Sequence, residues 1–297
     1  MLLPNIHGTY KNNYNLAHLT WFKVGGPAEI FFKPKDENDL QHFLQQNQGV
    51  LPVTVIGAGS NIIVRDGGIK GAVLKLGQNF TAIEKLTNNN LLVGAGCLNF
   101  NLAKFALLNN IKGFEFLIGI PGTIGGGIAM NAGSYGREFK DIVESVYAFD
   151  KNGLEHKILI QDITFGYRKN YLPKDLIFTK VELKAEQGEF NTINSLMQTI
   201  RKQREESQPI TEKTGGSTFA NPIGYKAWQL IDQVGLRGKN LGGASIAKKH
   251  CNFMINNEAA SASDLEELGQ IAIAEVYKGT GVKLEWEIKI IGGHAKI

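Results

Sequence analysis

The chain has 297 residues, of which 43% are hydrophobic and 20% charged, and its net charge is +4. This is the composition of an ordinary globular protein with a large core and two or three domains. Its mild positive charge suits small anionic ligands and lacks the concentrated basic tract of a nucleic-acid binder. No apolar run is long enough to span a membrane. The opening MLLPNIHGTY lacks the basic-then-apolar pattern of a secretory signal, so none is expected. Cys97 and Cys251 have no metal-ligand spacing and read as two buried or idle thiols of a reducing compartment.

In chain order, residues 29–34 (EIFFKP) and 53–57 (VTVIG) predict short strands. Between them, residues 36–46 put Leu40, Phe43 and Leu44 on one helical face, a βαβ signal. A strand-rich block covers roughly 62–98. Residues 99–110 predict a helix, and strands are expected at 143–149 and 176–184. From Phe190 to about Glu206, Ile193, Leu196, Met197 and Ile200 recur at helical spacing, and Pro209 helps to end that helix. A domain boundary is expected there. A helix near 225–234 should stop at Gly235, a natural C′ position. Another should start at Ser263, with Ser263 and Glu266 as a capping box. Residues 282–291 (VKLEWEIKII) alternate apolar and charged side chains and predict one half-buried strand. Segregated strands and helices in this order argue for an α+β fold.

The 35 glycines cluster between apolar segments, where backbone conformation or close ligand approach is being specified. Gly57, Ala58, Gly59, Ser60 and Asn61 follow a strand. Their N–H groups could converge on a diphosphate, or the segment could be a tight structural turn. A dinucleotide fingerprint needs glycine at position 62, where Ile62 stands, so this is no Rossmann loop. The segment 119–127 (GIPGTIGGG) is followed by Asn131, Ala132 and Gly133. It lacks the Gly-Lys-Ser/Thr of a Walker loop, and its glycine density favours backbone approach to an extended ligand. Arg168, in Phe165-Gly166-Tyr167-Arg168, could hold a carboxylate or phosphate, or could be a surface arginine on a tyrosine. Ser217, in GGSTFANP, lies outside any Gly-x-Ser-x-Gly elbow. A nucleophile is disfavoured, and a proton or hydrogen-bond donor stays open. Glu287 alone reads as part of a solvated strand face.

The order of these segments carries more than any one of them. GAGSN, GIPGTIGG with NAGSYG, FGYR, GGSTFANP, GGASIAKKHCNFMIN and LEWEIKIIG together resemble the UDP-N-acetylenolpyruvoylglucosamine reductase family across nearly the whole chain, in its shorter, type II-like form. The resemblance implies a two-part FAD-binding region of the vanillyl-alcohol-oxidase (PCMH) type plus a separate α+β substrate-binding domain. The corresponding divisions are 1–88 and 89–203 for FAD, 204–281 for substrate, and a terminal strand, 282–297, returning to the FAD region. It implies reduction of an enolpyruvyl ether on UDP-N-acetylglucosamine to the lactyl ether of UDP-N-acetylmuramic acid, with NADPH as co-substrate, hydride from flavin N5 and a proton from Ser217.

By the same resemblance Arg168, Ser217 and Glu287 are catalytic. Gly57 to Asn61, then Gly119, Ile120, Pro121, Gly122, Thr123, Gly125 and Gly126, lie along the FAD diphosphate, and Asn131, Ala132 and Gly133 lie near the flavin. Tyr167, Arg204 and Asn221 contact substrate. None of the six histidines falls in the two loops, so the FAD is expected to be non-covalent. No metal, nucleic acid or membrane partner is expected, and the protein is expected to be a cytoplasmic monomer. The chain departs from the family pattern in two places. Glu206-Ser207-Gln208-Pro209 has no lysine shortly before the Gln-Pro, and Ala247 stands where serine is common. Two rival readings are a same-fold flavin oxidase or dehydrogenase for another hydroxy acid or sugar, and a nucleotide-sugar binding protein without catalysis. The presence of all three catalytic positions argues against both.

Overall fold

A computed structural model describes residues 3–257 and 259–295. The chain divides into two compact units. The first is made of Met1–Asn12, Ile30–Ala58 and Gly71–Lys202, and the second of Asn13–Glu29, Gly59–Lys70 and Gln203–Ile297.

The first unit has two cores. One lies under a sheet in which Val53–Val55 runs parallel to Ile69–Leu74, in the register Val53 to Ala72. Pro27–Lys33 lies on the far side of Ile69–Leu74, so the two predicted strands share a sheet without pairing directly. Helix α1 (Glu37–Asn47) is started by Asp36, which accepts from the Asp39 N–H, and buries Leu40, Phe43 and Leu44 as its spacing predicts. Phe43 meets Phe32 at a ring separation of 4.4 Å.

The other core lies under a five-stranded sheet in the order Glu155–Leu159, Val143–Phe149, Ile177–Leu183, Leu91–Gly94, Ile83–Lys85, antiparallel throughout. Leu91, Val93, Val146, Val181 and Leu183 are fully buried, together with Leu102 from helix α2 (Asn99–Leu108). On the other face of the sheet from Val181 and Leu183, Glu182 accepts from Asn88, Asn90 and Ser145 and pairs with Lys157. The two asparagine bonds hold its carboxyl below the usual carboxylate range.

The glycine-rich segment contains an element that its composition hides, a six-residue helix α3 (Ile124–Ala129) capped by Thr123 Oγ1 on the Gly126 N–H. Its glycines serve packing: a Cβ on Gly127 would lie 2.2 Å from the Phe139 ring. Helix α4 (Phe190–Ser207) carries the chain from the first unit into the second.

The second unit is built around helix α6 (Ala262–Thr280), which buries Leu265, Leu268, Ala272 and Val276. Helix α5 (Ala227–Gln233) and the antiparallel strands Asn240–Leu241, Ala244–Ile246 and Met254–Asn256 pack with it. Gly269 lets α6 close on Trp286, since a Cβ there would meet the indole at 2.1 Å. Gly235 has φ +75° just past α5, and Leu236 N–H bonds back to Ile231 O, the stop expected from sequence.

Two expectations need correction. Helix α6 starts one residue before Ser263, and its capping box is Ser261 with Asp264. Ser263 instead bonds to Asp66, whose carboxylate also takes the Ala262 and Ser263 N–H groups. The terminal strand is also broken in two. Glu285–Trp286 pairs with Phe219–Ala220, and Lys289–Ile291 runs parallel to Ile62–Val64. At the break, the N–H groups of Glu287 and Ile288 both turn onto Thr218 O, at 2.9 and 3.4 Å. Both strands lie in the second unit. Ser261→Ala should lower stability by about 1 kcal/mol in urea unfolding. Ser263→Ala should cost distinctly less, because Asp66 still caps the helix.

Candidate functional site

The glycine loop 57–61 is where the chain leaves the first unit for the second. Gly57 sits against the other predicted loop: a Cβ added to it would lie 2.7 Å from Thr123 Oγ1. Lys75 Nζ donates to Gly57 O at 2.6 Å, and burial, with the Lys33 charge, pulls the Lys75 pKa down. Among the described residues, the N–H groups of Gly57, Ala58, Gly122 and Thr123 donate to no protein acceptor. No acidic side chain stands in 57–61 or 119–133. Gly119 packs against Tyr135, and the Gly125 N–H is used on Ala95 O. Gly59, in the second unit, has φ +70° and abuts Leu19 O so closely that no side chain fits.

Arg168 occupies the second turn position of a two-residue hairpin between Phe165–Gly166 and Lys169–Asn170. Its φ of +55° is left-handed, uncommon for a residue with a Cβ. A hydrogen bond and a ring contact help to aim the guanidinium. Nη2 donates to Gly133 O at 2.9 Å, and the group stacks 5.0 Å from the Tyr167 ring centre. Tyr167 itself is half exposed.

Asn131 is fully buried, and its side chain is committed to the protein. Nδ2 donates to Glu138 and to Gly166 O at the hairpin base, both at 3.1 Å, and Oδ1 accepts from Lys140 N–H. Asn131 therefore holds the hairpin that carries Arg168. Burial pushes the Glu138 carboxyl up, but bonds from Lys140 and Asn131 and the charges of Lys140 and Arg168 outweigh it and leave it below its ordinary value. Ala132 is buried, and a Cβ added to Gly133 would lie 2.7 Å from Arg137 O.

In the second unit the structure brings Ser217, Glu287 and Asn61 together. Ser217 forms an antiparallel bridge with Phe253, and the next residue, Thr218, accepts the Glu287 N–H. Asn61 Nδ2 donates to Glu287 O at 3.3 Å, and Asn61 O accepts the Lys289 N–H at 3.0 Å. Among the described residues, the Ser217 hydroxyl makes no hydrogen bond. Gly215 is glycine because a Cβ would lie 2.3 Å from the Phe22 ring, a packing need rather than a ligand approach. Gly216 has φ +81° and open space at its Cβ position. Arg204 bonds Gln208 at 3.1 Å, and Asn221 Oδ1 takes the Ala227 N–H at the start of α5. Sequence reasoning missed Thr218, Asn252, Glu138 and Lys75. Thr218 and Asn252 stand inside quoted motifs without a signal of their own, Glu138 lies just past NAGSYG, and Lys75 lies in no motif.

Both cysteines are buried and free, with thiols pushed up to about 11 chiefly by burial. Among the described residues, no cluster could hold a metal ion, and no helix is long and apolar enough to cross a membrane.

The comparisons with known proteins bear on both units. The family model for an FAD binding domain matches residues 28–158, and the model for the UDP-N-acetylenolpyruvoylglucosamine reductase C-terminal domain matches residues 208–291. UDP-N-acetylenolpyruvoylglucosamine reductases of Rickettsia massiliae (strain Mtu5) and Rickettsia peacockii (strain Rustic) are each 58% identical to the chain over 294 residues, covering 99% of it and 99% of their own length. The crystal structure of UDP-N-acetylenolpyruvylglucosamine reductase from Thermus caldophilus is similar with a TM-score of 0.83 at 32% identity, covering 96% of this chain and 99% of that one. With full-length identity this high and the expected α+β arrangement of an FAD-binding domain followed by the reductase C-terminal domain, the chain belongs to the UDP-N-acetylenolpyruvoylglucosamine reductase family.

Proposed function

We propose that the chain is an FAD-dependent oxidoreductase that uses NADPH to reduce the enolpyruvyl ether of UDP-N-acetylenolpyruvoylglucosamine to UDP-N-acetylmuramic acid in peptidoglycan precursor synthesis, acting as a cytoplasmic monomer. The observation that supports the residue roles best is the joint at Thr218. It ties the backbone of Ser217, whose hydroxyl makes no hydrogen bond among the described residues, to that of Glu287. The two free, buried thiols are in keeping with a reducing compartment.

The residues of the two loops fit FAD. Free N–H groups at Gly57, Ala58, Gly122 and Thr123 would hold a diphosphate without opposing acidic charge, and Lys75 adds a cation behind Gly57. FAD held there would supply a hydride taken up from NADPH. Its addition to the terminal alkene carbon would leave negative charge on the neighbouring carbon and its carboxylate. Arg168, pre-aimed by Gly133 O and Tyr167, is suited to that charge, and Glu287 in its protonated form would donate to the same group. Ser217 then gives its proton to the carbon, for which a substrate enolate is a strong enough base. Tyr167, Arg204 and Asn221 contact the nucleotide sugar in this reading.

Ser217→Ala should keep the reduction of bound FAD by NADPH and slow its reoxidation by the enolpyruvyl substrate roughly 10²- to 10⁴-fold in anaerobic stopped-flow at the flavin band. Equal rates in both half-reactions would remove Ser217 from the mechanism. Gly57→Ala should push the loop off Thr123 and raise the FAD dissociation constant roughly 10-fold, about 1.4 kcal/mol, in a flavin fluorescence titration. Unchanged FAD binding would show that this loop does not hold the cofactor.

A further inference from the structure

The segment KKHCNFMIN has no part in the roles above, yet the first of its two asparagines, Asn252, has both side-chain polar atoms committed to the backbone next to Ser217. Asn252 is 4% exposed. Its Oδ1 accepts the Phe219 N–H at 3.0 Å, and its Nδ2 donates to Phe219 O at 2.8 Å. Its own carbonyl accepts the Thr218 N–H at 2.7 Å. A carboxamide bonded to both backbone groups of one residue imitates a rung of a β-ladder, and here it does so where the chain forms only short pairings. Thr218 Oγ1 takes the Met254 N–H at 3.2 Å from the same side. From the other side Phe219 pairs with Trp286, and Thr218 O takes the Glu287 N–H.

We propose that Asn252 is a positioning residue for proton delivery: it fixes the backbone of Thr218 and Phe219, and through it the aim of the Ser217 hydroxyl. The inference rests on the proton-donor role proposed for Ser217. That hydroxyl has no bond to a described residue, so its direction is inherited from the backbone that carries it. The amide is matched to this task. A carboxylate at position 252 would keep an acceptor for the Phe219 N–H but would set a second oxygen against Phe219 O. An alanine would leave both backbone groups buried without partners.

The experiment compares wild type, Asn252→Asp, Ser217→Ala and the double variant. Each NADPH-reduced holoenzyme is reoxidised by the enolpyruvyl substrate in deuterium oxide. In Asn252→Asp, FAD content and reduction by NADPH should stay within about 2-fold of wild type. Reoxidation should slow roughly 10- to 100-fold, the scale of an ångström-sized misplacement. In the Ser217→Ala background the same substitution should add little, because the two act on one step. Solvent deuterium should enter the new stereocentre with reduced facial selectivity. Amide hydrogen exchange should quicken at residues 217–220, with or without FAD, and stay unchanged along α6. The proposal is overturned if Asn252→Asp reoxidises at the wild-type rate with one product stereochemistry, or if its effect multiplies undiminished with that of Ser217→Ala. If Ser217→Ala alone leaves reoxidation unchanged, the Ser217 role fails first and the inference with it. Should Asn252→Asp not be recovered folded, Asn252→Gln is read by the same outcomes, since it keeps both polar atoms but shifts their reach.

Discussion

The second unit turns on one backbone carbonyl, that of Thr218, which receives the N–H groups of Glu287 and Ile288 and so breaks the terminal strand in two. Without that break the alternation of residues 282–291 would continue as one ribbon, and Glu287 would belong to its polar edge. With it, Glu285–Trp286 pairs with Phe219–Ala220, while Lys289–Ile291 is released to run beside Ile62–Val64. The same joint draws Asn61 in, because its side chain bonds Glu287 O and its carbonyl takes the Lys289 N–H. A bifurcated bond at a strand interruption thus brings together residues far apart in the chain.

Buried carboxamides repeat this logic. Asn252 stands in for a strand beside Phe219, and Asn131 ties the base of the Arg168 hairpin to Glu138 and Lys140. Asn88 and Asn90 satisfy Glu182 in the sheet of the first unit. In each case a short side chain with a donor and an acceptor completes a backbone or carboxylate that regular pairing leaves open. Partners of this kind fix one geometry, because a buried polar group without its partner is costly.

Much of this was legible in the sequence, for physical reasons. Leu40, Phe43 and Leu44 repeat at helical spacing because one face of α1 is buried. Gly235 ends α5 because a left-handed residue is needed there. The motif order marked the loops, Arg168, Ser217 and Glu287 as candidates. What stayed hidden depends on partners distant in the chain. Nothing around Ser263 shows that Asp66 claims it and leaves the capping box to Ser261. The alternation of 282–291 cannot reveal that Thr218 interrupts it. Helix α3 escaped notice because three of its six residues are glycine, poor helix formers that are tolerated there by close packing on Phe139 and by the Thr123 cap.

The hairpin at Tyr167-Arg168 has a consequence for how this chain can change. Left-handed backbone with a Cβ costs on the order of 1 kcal/mol, and glycine or asparagine at position 168 would relax it. Selection for stability alone therefore pulls this position away from arginine, while the role proposed for the guanidinium held by Gly133 and Tyr167 would keep it there. A search for thermostable variants that scores only folding would find replacements at position 168 among its early gains and would lose the charge at the hairpin tip with them.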